Sequence, residues 1–124
     1  MKPQKSRNFF QSVDNALRGI RTTAYKEKNF RIQIFIAIAV VILCIIFQAN
    51  TWQFALVAFA IFFVLVTELI NTAVESIVDL VCGNKMHPLA KAAKDASAGA
   101  VLLAAFFSVI VGAIVAFEII GRYA

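Results

Sequence analysis

The sequence predicts an all-α membrane protein, with one amphipathic surface helix and three transmembrane helices. The chain of 124 residues is 61% hydrophobic and has a mean hydropathy of +0.83, which is far more apolar than a soluble domain of this size. Residues Ile32 to Thr67 include no charged side chain over 36 positions. One span needs only about 20 apolar residues. We therefore expect two spans here, joined by a turn at the polar cluster Gln48–Thr51.

The first predicted element is a helix over residues 7–26, preceded by a segment, residues 1–6, that we expect to be disordered. Apolar side chains recur in this helix at spacings of three and four residues, so they share one helical face. These side chains are Phe9, Phe10, Val13, Ala16, Leu17, Ile20 and Ala24. The pattern suits a helix lying on a bilayer surface. The alternative is a helix packed on the protein's own loops, but the sequence contains little soluble core.

Three spans are predicted, over residues 29–47, 52–82 and 88–120. Gln33 lies about one turn inside the first span, and we interpret it as a hydrogen bond between helices rather than a ligand. The second span is about ten residues longer than the hydrocarbon layer requires. Its last turns should therefore project out of the membrane before Gly83 ends it.

The third helix is expected to begin at Pro88, because proline suits the first helical position. Small side chains recur at every fourth residue of this helix, and such rows allow membrane helices to approach closely. The row consists of Ala92, Ala96, Ala100 and Ala104. We expect it to bring the start of the third helix close to the second.

Positive charge is concentrated in two segments of the chain. Eleven of the twelve Lys and Arg residues lie in Met1–Arg31 or in Lys85–Lys94. Three spans place both segments on the same side, and the positive-inside rule makes that side the cytoplasm. We therefore expect a multi-pass protein of the inner or plasma membrane, with its N-terminus inside and its C-terminus outside. The net charge of +5 indicates topology and attraction to lipid headgroups, not nucleic acid binding.

The end of the second span carries a column of polar side chains. At 100° per residue, five of them fall within about 100° of arc on one face: Glu68, Asn71, Thr72, Glu75 and Asp79. Counting from Trp52 places the inner membrane boundary near Asn71, so Glu68 should lie one turn inside the lipid. Carboxylates at membrane depth are costly and indicate a functional site. The alternative is a buried network of ion pairs.

The available side chains favour phosphoryl transfer. The sequence has no Walker A loop and no protein-kinase motif, and its single histidine excludes zinc-ligand spacing. Three carboxylates and three lysines are expected near one depth: Glu27, Glu75, Asp79, Lys85, Lys91 and Lys94. Carboxylates suit Mg²⁺, lysines suit phosphate, and Glu68 suits a general base toward a hydroxyl. These are the parts for transfer from a nucleotide to a lipid hydroxyl.

Two other classes of function stay open from spacing alone. A proton-coupled transporter would use Glu68 as its membrane carboxylate. The clustering of lysines and carboxylates at one membrane edge disfavours it, because transport needs access from both sides. A structural assembly protein would use the same charges as a satisfied ion network.

Two motifs are specific when they occur together. Residues 68–80 read ELINTAVESIVDL, and residues 87–101 read HPLAKAAKDASAGAV. The pair resembles the prokaryotic diacylglycerol kinase family of small membrane kinases, over most of the chain from about Phe9. The form HPLAKAAKDA is similar to the Gram-positive branch, whose members phosphorylate undecaprenol. The resemblance implies three transmembrane helices, a homotrimer with active sites shared between neighbouring subunits, and MgATP as phosphate donor.

The resemblance also implies roles for individual residues. Glu68 matches the catalytic base, and Asn71 matches a residue of the same signature that orients groups there. Glu27 and Glu75 match the ligands of the Mg²⁺ that accompanies ATP. Further positions match residues that contact the nucleotide: Lys85, Met86, His87, Lys94 and Asp95. At Gln33 the chain departs from the diacylglycerol kinase branch, which has an acidic residue there.

The predicted function is ATP-dependent phosphorylation of a membrane lipid alcohol at the cytoplasmic face. Undecaprenol is the favoured acceptor, which would yield undecaprenyl phosphate. The alternative within the class is a diacylglycerol kinase that makes phosphatidic acid, and the alternative outside it is the proton-coupled transporter.

Overall fold

The computed structural model describes residues 8–124, so the segment predicted to be disordered and the predicted helix start at Arg7 lie outside it. The described chain is entirely helical. Its four helices are α1 (Phe9–Lys26), α2 (Lys28–Ile46), α3 (Thr51–Cys82) and α4 (Pro88–Tyr123). Helices α2, α3 and α4 are each long and apolar enough to cross a membrane. The all-helical membrane class and the three candidate spans are confirmed.

Helix starts coincide with local capping groups. The Asn8 side chain accepts the N–H of Gln11, whose side chain accepts the N–H of Asn8 in return. Asn50 and Gln53 form the same reciprocal pair at the start of α3. Such capping boxes satisfy N–H groups that have no partner within the helix. Nδ1 of His87 accepts a backbone N–H at the start of α4.

Gly83 ends α3 as the sequence predicts, with φ 59° and ψ −130°. Side chains with a Cβ rarely adopt this conformation. Gly83→Ala should therefore lower the free energy of unfolding by about 1–3 kcal/mol, as measured by unfolding in detergent micelles. The matched control is Gly121→Ala, because an added Cβ at Gly121 meets open space within a helix. The helical control should be neutral or slightly stabilising, and equal losses at both positions would contradict the explanation.

Helix α3 lies at the centre of the bundle. It packs most extensively against α4, while α2 and α1 contact it over shorter stretches, and no α-carbons of α2 and α4 lie within 8 Å of each other. The small apolar core contains Cys44, Val57, Ala60, Val111, Val115 and Ile119. Most other large apolar side chains face outward, as Phe106 does with 65% exposure. This arrangement suits helices surrounded by lipid, where apolar side chains need no burial in protein.

The alanine row predicted to pack α4 is only partly correct. Ala104 is fully buried, but Ala92, Ala96 and Ala100 are exposed in the described chain. An α-helix has 3.6 residues per turn, so a strict four-residue row drifts around the helix. The covered face instead alternates three- and four-residue steps through Ser97, Val101, Ala104, Ser108 and Val111.

Most of the apolar face of α1 is not covered by protein in the described chain. Phe9 is 75% exposed and Phe10 is 80% exposed, and Leu17 and Ile20 are also open. The helix contains no buried residue, although it touches α2 and α3. This exposure favours a bilayer surface over packing on the protein's own loops.

The two ends of the bundle differ in chemistry. At one end, which we call the turn end, the Arg122 guanidinium donates to the carbonyls of Phe47 and Gln48 at 3.3 and 3.2 Å. The amide of buried Gln53 donates to Oε2 of Glu118 at 2.9 Å. These contacts tie the α2–α3 turn to the last turns of α4. The opposite end, which we call the site end, carries the polar column of α3.

Candidate active site

Glu68 is the innermost carboxylate of the polar column and is only 4% exposed. Its Oε2 accepts a hydrogen bond from Nε2 of Gln33 on α2 at 3.4 Å. This bond confirms the prediction that Gln33 links two helices. Thr72, one turn along α3, donates its hydroxyl to the backbone carbonyl of Glu68 at 3.0 Å. Glu68 is therefore a buried acid without a cationic partner at hydrogen-bond distance among the described residues.

Asn71 lies one turn beyond Glu68 and is 9% exposed. The hydroxyl of Ser97 on α4 donates to Asn71 Oδ1 at 2.7 Å, so the amide nitrogen of Asn71 points away from Ser97. Its Nδ2 donates to Oε1 of Glu75 at 3.3 Å. Ser97 thus fixes which way the amide points. The sequence analysis gave Ser97 no role of its own, although its place three residues after Lys94 was a usable signal.

Asp79, the outermost acid of the column, is paired with α4. Lys94 Nζ lies 2.7 Å from Asp79 Oδ1 in an exposed salt bridge. The negative charge of Glu75 also acts on the Lys94 ammonium group. Lys91 and Asp95 form a second exposed pair at 2.6 Å, one turn apart on α4.

The residues predicted to contact a nucleotide line one pocket at the α3–α4 turn. The pocket has a volume of about 300 Å³. All five predicted side chains line it, together with Asp79 and Lys91: Lys85, Met86, His87, Lys94 and Asp95. The end of α3 and the short connection place these side chains together, because the chain turns at Gly83 and α4 begins at Pro88. Three lysines around one small pocket suit a ligand that carries phosphate groups.

Glu27 lies at the junction of α1 and α2 and does not line the pocket at the α3–α4 turn. It precedes the first residue of α2, and its side chain makes no capping hydrogen bond. Over residues 8–124, no three His, Cys, Asp or Glu side chains form a ready-made metal cluster. Glu27 and Glu75 are therefore not members of a cluster of three such side chains in this part of the chain. Mg²⁺ commonly takes one or two carboxylates with water and substrate phosphates, so the donor types of Glu27 and Glu75 fit that ion.

An apolar cleft opens beside Gln33, where α2 and α4 stand apart. This lateral cleft has a volume of about 380 Å³ and is lined by α2, α3 and α4. Gln33 lies at its site end, and Ser108 is the other polar side chain in its wall. The cleft therefore joins a hydrocarbon environment to the amide that contacts Glu68. An amphiphile with a long hydrocarbon chain and a small polar head matches this surface.

Comparison with known proteins agrees with this chemistry. The prokaryotic diacylglycerol kinase family matches residues 14–116. A Synechocystis protein named diacylglycerol kinase is 41% identical over 88% of this chain, which spans 62% of that relative's length. A Bacillus subtilis protein named undecaprenol kinase is 42% identical over 86% of both chains. The Escherichia coli diacylglycerol kinase is 32% identical over 75% of both. This chain belongs to the prokaryotic diacylglycerol kinase family of membrane lipid kinases.

Proposed function

We propose that the protein transfers the γ-phosphate of ATP to a membrane lipid alcohol at the cytoplasmic face of the membrane, with undecaprenol as the favoured acceptor. One observation carries the proposal. Glu68 is a buried carboxylate that contacts Gln33 in the wall of the apolar cleft, and Asp79, further along the same helix, lines the lysine-bearing pocket. A lipid hydroxyl and a soluble phosphate donor have different solvents, and the polar column of α3 extends from the side of the apolar cleft to the pocket with three lysines.

Glu68 acts as general base in this account. It takes the proton from the lipid hydroxyl as the oxygen attacks the γ-phosphorus in line. The bond between the γ-phosphorus and the bridging oxygen breaks, and ADP leaves with the electron pair. The hydrogen bond from Gln33 holds the carboxylate in place. Asn71, fixed by Ser97, orients groups one turn away.

The α3–α4 pocket holds the nucleotide in this account. Lys94 and its neighbours Lys85 and Lys91 provide positive charge for the phosphates. The imidazole ring of His87 forms part of the same pocket wall. Glu27 and Glu75 would hold Mg²⁺, which neutralises phosphate charge during transfer when it is bound. Release of Lys94 from Asp79 would free its ammonium group for a phosphate oxygen.

We further propose a homotrimer in which neighbouring subunits share each site. The exposed alanines of α4 support this arrangement, because small side chains allow helices of neighbouring copies to approach closely. Coexpression of Glu27→Gln and Glu68→Gln subunits should then recover activity that neither variant has alone. No recovery in mixed assemblies would contradict shared sites.

A direct comparison of undecaprenol and diacylglycerol as substrates decides which lipid alcohol accepts the phosphate. The Bacillus subtilis relative is named for undecaprenol and the Synechocystis relative for diacylglycerol, and their identities to this chain are 42% and 41%. Similarity thus leaves diacylglycerol as the second candidate. Purified protein should be given radiolabelled ATP, Mg²⁺ and either lipid in matched micelles. We expect faster labelling of undecaprenol, whereas exclusive labelling of diacylglycerol would overturn the assignment. A transporter would label neither lipid and would show flux driven by a pH gradient.

A further inference from the structure

The carbonyl oxygen of the Gln33 side chain is buried and has no hydrogen-bond partner, alone in this respect among the buried side-chain polar atoms of the described residues. The amide nitrogen of the same side chain is engaged with Glu68. Buried polar atoms are nearly always paired, so an unpaired one calls for an explanation. Because Gln33 lines the lateral cleft, this oxygen is a candidate partner for a group that enters the cleft.

The remainder of the cleft offers no free hydrogen-bond donor from its described side chains. Ser108 is the other polar residue in the wall, and its hydroxyl donates to the carbonyl of Ala105 at 2.7 Å. Beyond Val40 and Val57 the groove continues into a second apolar section of about 350 Å³. From Gln33 to Phe47 the groove follows about 21 Å of α2 at 1.5 Å per residue. That length accommodates a long hydrocarbon chain.

We propose that Gln33 is a specificity-determining residue, which selects an acceptor whose only polar group is a hydroxyl, and that the lateral cleft takes the hydrocarbon chain of this acceptor. The inference rests on the proposed function, since it names the substrate class of the same site. The amide of Gln33 donates to Glu68 and so positions the base. The free carbonyl oxygen accepts the hydrogen bond of the arriving hydroxyl, next to the carboxylate that later takes its proton.

The same geometry disfavours an acceptor with ester groups beside its hydroxyl. Ester carbonyls are acceptors only, and the facing side chains present another acceptor, the Gln33 oxygen, and an acidic side chain, Glu68. A diacylglycerol brings two ester carbonyls, which would lose their water in the cleft, whereas the wall offers at most the second N–H of the Gln33 amide as a donor. A simple long-chain alcohol carries no such group, because its carbon chain begins directly at the hydroxyl. Selectivity therefore arises from the shortage of hydrogen-bond donors in the cleft as well as from the acceptor oxygen of Gln33.

Three lipid acceptors that all react through a hydroxyl separate the effect of ester carbonyls from that of the glycerol shape in the unmodified protein. The probes are a polyprenol, a dialkylglycerol and a diacylglycerol, presented in matched micelles with saturating MgATP. The dialkylglycerol keeps the glycerol shape but has ether oxygens in place of ester carbonyls. We expect kcat/KM to decrease in the order polyprenol, dialkylglycerol, diacylglycerol, with about tenfold between the first and the last. Equal values for the two glycerolipids, as expected if a neighbouring copy fills the cleft, would overturn the proposal.

A matched pair of variants tests Gln33 itself. Gln33→Met keeps the length of the side chain but removes both the donor and the acceptor. It should lower kcat for all three lipids and reduce the preference for polyprenol over diacylglycerol about tenfold. The control is Gln53→Met, because buried Gln53 donates to Glu118 in the same way at the turn end. Gln53→Met should keep the preference of the unmodified protein for polyprenol over diacylglycerol.

The outcomes of these experiments distinguish the inference from the proposed function. If the unmodified protein labels none of the three lipids, the proposed function fails. If it labels polyprenol but Gln33→Met leaves both kcat and the preference unchanged, only the role of Gln33 is overturned. A purely structural role would lower the folded fraction and the apparent kcat alike for all acceptors, with the preference unchanged, and would also overturn it.

Discussion

Glu68→Gln should lower kcat for lipid phosphorylation by about 10²–10⁴-fold, the range that a general base contributes. The amide cannot take the hydroxyl proton, although it keeps the size of the side chain and a contact with Gln33. The KM for MgATP should change little, because the nucleotide pocket lies at the α3–α4 turn. Initial rates with radiolabelled ATP and separate titrations of lipid and nucleotide measure both constants.

Glu118→Gln is the matched control for this experiment. Glu118 is the other acid on a membrane helix that accepts a hydrogen bond from a glutamine, at 2.9 Å from Gln53, but it lies at the turn end. Its kcat should stay within about twofold of the unmodified protein, since surface changes away from such a site are usually small. A fully active Glu68→Gln protein, or equal losses in both variants, would contradict the assignment of Glu68 as base.

Glu75→Gln should raise the concentration of free Mg²⁺ that gives half the maximal rate by at least about tenfold. The reason is the loss of a carboxylate from the proposed ion site, where hard cations prefer charged oxygen ligands. The change also removes a negative charge that acts on Lys94. The measurement is the initial rate against free Mg²⁺ at a constant concentration of ATP.

The same Glu118→Gln protein serves as control for the magnesium titration, and its Mg²⁺ dependence should match that of the unmodified protein. If Glu75→Gln keeps the original Mg²⁺ dependence, Glu75 is not part of the ion site. A uniform fall in kcat at every Mg²⁺ concentration would instead assign Glu75 to the orientation of Asn71, its hydrogen-bond donor.

Features that depend on local sequence were predictable. Gly83 and Pro88 mark the end of α3 and the start of α4, because each residue has a backbone preference that acts within one turn. The polar face from Glu68 to Asp79 follows from helical periodicity alone. The capping boxes at Asn8 and Asn50 are equally local, and their signature was present in the sequence but not used.

Contacts between helices could not be predicted from periodicity. The hydrogen bond from Ser97 to Asn71 depends on the register of α4 against α3, which packing along the whole interface decides. The alanine row was assigned to that interface, yet only Ala104 is buried there, because the true contact face alternates three- and four-residue steps. The unpaired oxygen of Gln33 depends on the gap between α2 and α4, and that gap has no sequence signature.

The central claim is that Glu68, a buried acid in contact with the wall of the apolar cleft through Gln33, serves phosphate transfer to a lipid alcohol. Its most direct measurement is the stoichiometry of the reaction, with purified protein, Mg²⁺, γ-labelled ATP and undecaprenol in micelles. The account predicts one lipid phosphate in the organic extract for each ATP consumed, and neither without Mg²⁺. ATP consumption without a labelled lipid, or no consumption with undecaprenol or diacylglycerol, would contradict it.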